Sequence, residues 1–508
     1  MTASVRADRY EKPFLALLLA AVAWMVWPLW ATPYPPIEDL PQHLAAIRVL
    51  HDFETPRFEF SRYFELQLSR TQYLAYYVLV DALAYLIDLE LANRLVVIAC
   101  VAAVPLALAY LLHALRRDVA LALFALPLTY NAQLILGFIN FLMAIGAALF
   151  GLGLCAKQNE RATRTRGILL ACVSLFCFFC HVVPFAFLVL GGVLLAATRD
   201  LRSLAVRLAA FAPAVIVGAA WLAQSPAGKA TLTAAKGGDT NTAHATYQPA
   251  DFALRDLPNW LTDVFVDPEA TRYLQAFGVV WLLTLVLGII HVAAVSGGRG
   301  SRLFLRLLPL APIAAGLYFV APTSYDWIWP IAQRFPLLAL LLLVPVLPKP
   351  PRVALVLIAV VLLGLSWRAE EVARAAFNKF DSEEVGEFNA ALDTIPEGRR
   401  VMGLIYARGS RYVKFSPFIH YVAYYQARKG GAVMFTFADF PQSPFRFRED
   451  NRPARVPPRW EWLPQRVRPR DMAWYEYVLV RGGPDPCGDA CELKFRRGVW
   501  SVWQPRGM

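Results

Sequence analysis

The sequence predicts an α-helical polytopic membrane protein of about eleven transmembrane helices, with outer juxtamembrane helices, followed by a small α/β domain. Three observations lead there. First, 57% of the 508 residues are hydrophobic and only 17% are charged, where soluble chains carry roughly a quarter charged residues. Second, the apolar excess is gathered into runs such as 14–30, 95–115 and 337–347, and it stops near residue 367. Third, basic residues recur in short clusters between those runs, the pattern that sets membrane orientation. The net charge of +12 therefore reads as topology. No nucleic-acid motif accompanies it, so no nucleic-acid partner is expected.

Residues 14–32 make the first span. Arg6, Arg9 and Lys12 precede it. The run is longer than a signal-peptide core and no small-residue cleavage site follows, so it is read as uncleaved. The basic clusters are 6–12, Arg116 with Arg117, 157–166, 199–207, 299–306 and Lys349 with Arg352. If all are cytoplasmic, each interval between them crosses the membrane an even number of times. The interval 13–115 holds three apolar stretches, so one must not cross. The stretch 72–88 carries Asp81, Asp88 and four tyrosines, and is assigned to an interfacial helix on the outer face.

Spans at about 91–115, 119–136 and 138–156 follow. As one helix, 167–198 would run about 46 Å, too long for a roughly 30 Å core. His181 and Pro184 divide it into two short helices meeting at an outer apex. Further spans are expected at about 206–223, 273–295, 306–321, 334–348 and 353–367. Eleven crossings from an inside start divide the chain into a membrane part, 1–367, and a soluble domain outside, 368–508. The long outer loops are 33–90 and 224–271.

In the tail, 400–406, 432–437, 475–480 and 499–503 read as strands and 417–428 as a helix ending at Gly430 and Gly431. The segment 441–470, rich in Pro and Arg, reads as an irregular loop. Its arginines (Arg446, Arg448, Arg452, Arg455, Arg459, Arg466, Arg468 and Arg470) could meet membrane lipids or an anionic glycan. Of seven cysteines, Cys487 and Cys491 stand apart in a short polar loop. A local disulfide suits an oxidising compartment, which agrees with an outer tail.

Chemistry-bearing residues concentrate at the outer ends of the spans. Glu38 and Asp39 open the first outer loop. His43 follows Asp39 at helical spacing. A carboxylate there can serve as a general base or hold a metal ion. Asp39 before Pro41 also fits a helix N-cap. Asn131, Gln133 and Asn140 surround the turn between the third and fourth spans, His181 lies at the apex, and Asp326 lies in the loop before Arg334. Polar groups at one common depth favour an outward-facing cavity, although each alone is compatible with an interhelical hydrogen bond. Arg334 suits a phosphate, or anchors its span at the interface.

The segments 36–45 (Pro-Ile-Glu-Asp-Leu-Pro-Gln-His-Leu-Ala), 137–143 (Gly-Phe-Ile-Asn-Phe-Leu-Met) and Arg94-Leu-Val-Val opening a span that ends in two arginines resemble the integral-membrane glycosyltransferases of the GT-C fold. They look closer still to a group of uncharacterised bacterial GT-C-like proteins. The likeness covers about 35–370. It implies a polyprenyl-phosphate-linked sugar donor, a glycan, lipid or protein acceptor of the cell envelope, and a place in the bacterial inner membrane with the tail in the periplasm. It implies that Asp39, with Glu38 beside it, is the catalytic base or the ligand of a divalent cation. It assigns the donor phosphate to Arg334, with His43, His181, Asn140 and Asp326 around the substrate. A second acid common between the third and fourth spans of that class is replaced here by Asn131, Gln133 and Asn140, which puts metal dependence in question. Two other readings stay open: a transporter or flippase of a lipid-linked substrate, and a non-catalytic membrane component of envelope assembly. Transporters favour repeated halves and midplane sites, and no repeat is visible.

Overall fold

In hydrocarbon each backbone N–H must be satisfied within its own segment, so long apolar runs fold as helices. The computed structural model describes residues 2–198, 200–225, 228–229, 245–294, 303–326, 328–453 and 460–506, leaving aside the side chains of 2–12 and Arg70. Arg199, Arg299, Arg302, Arg455 and Arg459 lie outside the described residues. The chain is mostly helical, with a small sheet near its C-terminus.

Seven helices among the described residues are long and apolar enough to cross a membrane: Pro13–Ala31, Leu89–Ala114, Ile139–Glu160, Leu201–Gln224, Ala270–Ala294, Leu303–Val320 and Arg352–Val385. The other predicted spans are shorter helical pieces. Val119–Leu128 is a 3-10 segment followed by Ala132–Leu136, and Ala332–Val346 is a shorter apolar helix. The stretch 167–198 is divided as expected, into Arg164–Cys180 and Val182–Ala196. The break falls at His181, which is extended (φ −165°, ψ 132°), and Pro184 sits harmlessly in the next helix's first turn. The stretch 72–88 contains the helix Ala75–Ala84, only ten residues. At 1.5 Å per residue this covers about 15 Å, half a bilayer core.

One end of the bundle gathers the basic loops. Arg116 reaches Glu160 at 3.0 Å and Lys349 reaches Asp118 at 2.9 Å. Arg117 donates to the Leu347 carbonyl. Arg306 donates to the carbonyls of Leu195 and Ala197, both at 2.8 Å. Loops far apart in sequence thus meet at one level, as even crossing numbers require. His181 lies at the opposite end, so the pair of helices around it makes a V with both open tips at the basic end.

That opposite end carries the tail. The Arg352–Lys379 helix runs through residue 367 without interruption, so the predicted domain boundary falls inside a helix. Beyond it stands a five-stranded sheet in the order Ala432–Val433, Arg400–Ile405, Tyr477–Arg481, Trp500–Pro505, Cys491–Arg497. The first two pairings are parallel and the last two antiparallel. Apolar residues fill the central strands. The last strand exposes Glu492, Lys494 and Arg496, charges that suit a sheet edge. Cys487 and Cys491 are disulfide-bonded, with Cα atoms 5.6 Å apart. Within the predicted irregular loop, Phe445–Phe447 is a strand. It pairs antiparallel with Phe64–Leu66 of the first outer loop, and Arg446 pairs with Glu65 across it. A two-residue strand, Ala432–Val433, replaces the longer one expected at 432–437. One buried apolar cluster runs from the bundle into the tail, taking in Leu44, Ile47, Tyr421, Tyr425 and Trp500.

Candidate active site

The two segments 36–45 and 137–143 lie against each other. The N–H of Glu38 donates to the Ile135 carbonyl at 2.8 Å and that of Asp39 to Leu136 at 3.1 Å. Asn131 caps the Ala132–Leu136 turn by accepting from the N–H groups of Gln133 and Leu134. The turn ends at Gly137, whose φ is +91°. A Cβ on Gly137 would sit 2.8 Å from the Asp39 Cβ and 2.9 Å from its nitrogen. Glycine is therefore demanded twice here, by the left-handed backbone and by the close approach.

Asp39 stands at the N-cap position of the Leu40–His51 helix, but its side chain makes no cap hydrogen bond. The carboxylate turns instead to the tail, where Oδ1 is 3.3 Å from Nε2 of His420. Glu38 is buried and its Oε2 accepts the Ser416 N–H at 2.8 Å. Burial raises the Glu38 carboxyl to about 7, helped by the charge of Asp39 and opposed by His420 and the Ser416 N–H. At His420 burial works against the cation, but the hydrogen bond to Asp39 and the charges of Asp39, Glu38 and Glu461 outweigh it and raise the imidazole. Glu461 is itself raised by burial.

Two aromatic residues hold this contact in backbone conformations that side chains seldom adopt. Phe415, just before Ser416, has φ +72° and Phe435 has φ +55°. The Phe435 carbonyl accepts from the Gln42 amide. Strain of this kind persists where surrounding contacts overdetermine the backbone, and it concentrates at working sites.

His43 is placed beside Asp39, but both ring nitrogens are engaged. Nε2 is 3.0 Å from the Gly137 carbonyl, an acceptor only, and Nδ1 is 2.9 Å from the Tyr77 hydroxyl. The ring is thus neutral with its proton on Nε2, and burial lowers it to about 4. It fastens the Gly137 turn to the Asp39 helix.

Arg334 and His181 meet directly, Nη1 to Nε2 at 2.8 Å. His181 caps its helix by accepting the Val183 N–H through Nδ1 at 3.1 Å. A neutral ring then carries its proton on Nε2, facing the guanidinium donor to donor. The Tyr73 side chain already accepts from the guanidinium, and an anion beside the pair would accept from both. The guanidinium also lies over the ring of Phe138, 5.0 Å from its centre, and close enough to Asp39 for that charge to act on it. Among the described residues, Arg334 Nε, Asn140 Oδ1, Gln133 Oε1 and Gln333 Oε1 are buried without a hydrogen-bond partner. Gln133 and Gln333 are joined, Nε2 to main-chain oxygen, at 3.0 Å. Orphaned buried polar atoms are uncommon enough to require explanation, and a polar ligand supplies one.

Asp326 lies elsewhere in its loop, at φ +47° in a tight turn after Ser324–Tyr325, a strand that pairs with Ala245–Thr246. Asp39, Glu38, His43, His181 and Arg334 come together, and Asn140 lies on the same helix as Phe141, which packs on His181. Surface clefts open away from them, one beside Glu90, Arg94 and Tyr424 and one beside Asp263, Asp267 and Arg368. Among the described residues no group of three or more His, Cys, Asp or Glu side chains is placed to hold a metal ion. Asp39 and Glu38 each commit an oxygen to the tail, so these donors do not form a cage for a cation.

Sequence reasoning missed His420, Gln42, Ser416 and Glu461. His420 is one of seven histidines, and the only available signal was its scarcity in a polar tail. No protein-family model matches the chain, and no curated protein matches it.

Proposed function

We propose that the chain is a GT-C-type glycosyltransferase that moves a sugar from a polyprenyl-phosphate donor to a hydroxyl of an envelope acceptor. On this reading the bundle crosses the inner membrane of a bacterium about eleven times, the basic end faces the cytoplasm and the tail lies outside. The observation that carries it is the pairing, at one end of the bundle, of the Asp39 carboxylate, which makes no cap hydrogen bond, with the buried Arg334 guanidinium beside His181. Asp39 takes the proton of the acceptor hydroxyl, and that oxygen attacks the anomeric carbon. The bond from that carbon to the phosphate oxygen breaks, and the polyprenyl phosphate leaves with the electron pair, with inversion. Arg334 and the His181 N–H stabilise the charge growing on the phosphate. Glu38, holding a proton near neutral pH, keeps a second negative charge away from Asp39. His43 keeps the Gly137 turn in register with the carboxylate.

The test is transfer from radiolabelled polyprenyl-phosphate sugars to envelope acceptors by the purified protein. Loss of transfer in Asp39→Asn with folding intact supports the reading. Unchanged transfer removes Asp39 from the chemistry. Donor binding without transfer in the wild-type protein favours a carrier of lipid-linked substrates instead.

A further inference from the structure

The tail is not a module docked onto a finished site: its contacts reach Asp39 itself. His420 lies in the turns preceding the Ala423–Lys429 helix, and its Nε2 faces Asp39 at 3.3 Å. The other face of the ring is fixed by Gln42. The Gln42 Oε1 accepts the Phe437 N–H at 3.3 Å, so its amide nitrogen is turned the other way. That nitrogen donates to the Phe435 carbonyl and lies 3.5 Å from Nδ1 of His420. A donor beside Nδ1 suits the acceptor nitrogen of a neutral ring; neutral or charged, the ring carries a proton on Nε2, pointed at Asp39. The chain is continuous: Phe437 N–H, Gln42, His420, Asp39. It alternates between the parts, for Gln42 and Asp39 belong to the first outer loop and the other two to the tail.

We propose that His420 is the positioning residue for Asp39, so that the site is completed only where tail and bundle meet. The membrane part carries the carboxylate, and the tail supplies the N–H that occupies Oδ1 and leaves Oδ2 for the acceptor hydroxyl. Gln42 holds the ring from its other side. The other acidic groups facing His420, Glu38 and Glu461, favour the protonated ring and so keep a proton on Nε2. The inference rests on the reading of Asp39 as the base of sugar transfer.

Steady-state transfer by His420→Ala and His420→Gln in the full-length protein tests it. The expected result is a kcat lower by about tenfold to a hundredfold in the alanine variant, with the donor KM within about twofold. The glutamine variant, which keeps an N–H donor, recovers part of the loss. Wild-type kcat in His420→Ala, or a raised KM with kcat kept, overturns the positioning role. If the wild-type protein transfers no sugar, the proposed function fails by itself, and the pairing is judged from melting of Asp39→Asn, His420→Gln and the double variant. A double variant that melts with the weaker single supports the pair. Shifts that simply add overturn it.

Discussion

The two ends of the helical bundle treat charge in opposite ways. At the basic end, arginines and lysines sit near water and pair across short loops, as Lys349 does with Asp118, at 44% and 24% side-chain exposure. Screened pairs of this kind are worth little individually; on the proposed topology their work is collective, holding that end in the cytoplasm. At the other end, the ionisable groups of the site are buried and bound into defined partners. Glu38, His43, His181 and His420 all lie within a few ångströms of carbonyls, amides or each other. Burying such groups is costly, and the strained Phe415 and Phe435 add to that cost. A membrane protein that keeps charge where it is expensive is using it for something besides orientation.

The largest contrast is expected at Asp39. Asp39→Asn lowers transfer by about 10²- to 10⁴-fold with the fold kept, since the asparagine fits the same space. Equal activity would make the two ends alike. Gly137→Ala comes next. Its new Cβ meets Asp39 within 3 Å in a left-handed backbone, costing about 2–4 kcal/mol and displacing the carboxylate, so melting and transfer fall together. Transfer that survives a measured loss of stability would separate the turn from the site. Arg334→Gln lowers kcat by about 10²-fold, and Arg334→Lys, with charge but no fork, recovers only part.

A smaller effect is readable as pH dependence. Folded Glu38 keeps its proton to about pH 7 while the free side chain loses it near 4.5. Between those values the unfolded chain binds fewer protons, so Glu38 lowers stability as pH rises through that window. His43 acts with the opposite sign. It stays neutral down to about pH 4 against an ordinary 6.5, so its contribution is lost as pH falls. Glu38→Gln removes the first effect alone, and the variant's melting temperature gains on the wild type between pH 5 and 7. An unchanged difference across that range would show Glu38 ionised throughout. The smallest effect belongs to the basic end: Lys349→Ala costs less than about 1 kcal/mol and leaves transfer intact.

The membrane part was legible because its signals are local. Apolar length, the tyrosines of 72–88 and the break at His181 are each visible within a helix or two of sequence. Asp39 and Gly137 were legible as motifs, though the sequence suggested a capping carboxylate where the fold has an uncapped one. The strand Phe445–Phe447 was hidden in a Pro- and Arg-rich stretch because its pairing partner, Phe64–Leu66, lies hundreds of residues earlier. A three-residue strand has too little periodicity to announce itself.

By itself, the sequence determined that this is a multi-pass helical protein, and it pointed to one end for the basic loops and to the other for Asp39, His43 and His181. Those properties follow from hydropathy and charge, which act residue by residue. Only the tertiary structure decided that Asp39 faces His420, that His43 is spent on Gly137, and that Arg334 and His181 confront each other as donors. Such pairings depend on where separate segments meet and on which lone pairs remain free after packing. The spacing of residues along a chain carries no record of either.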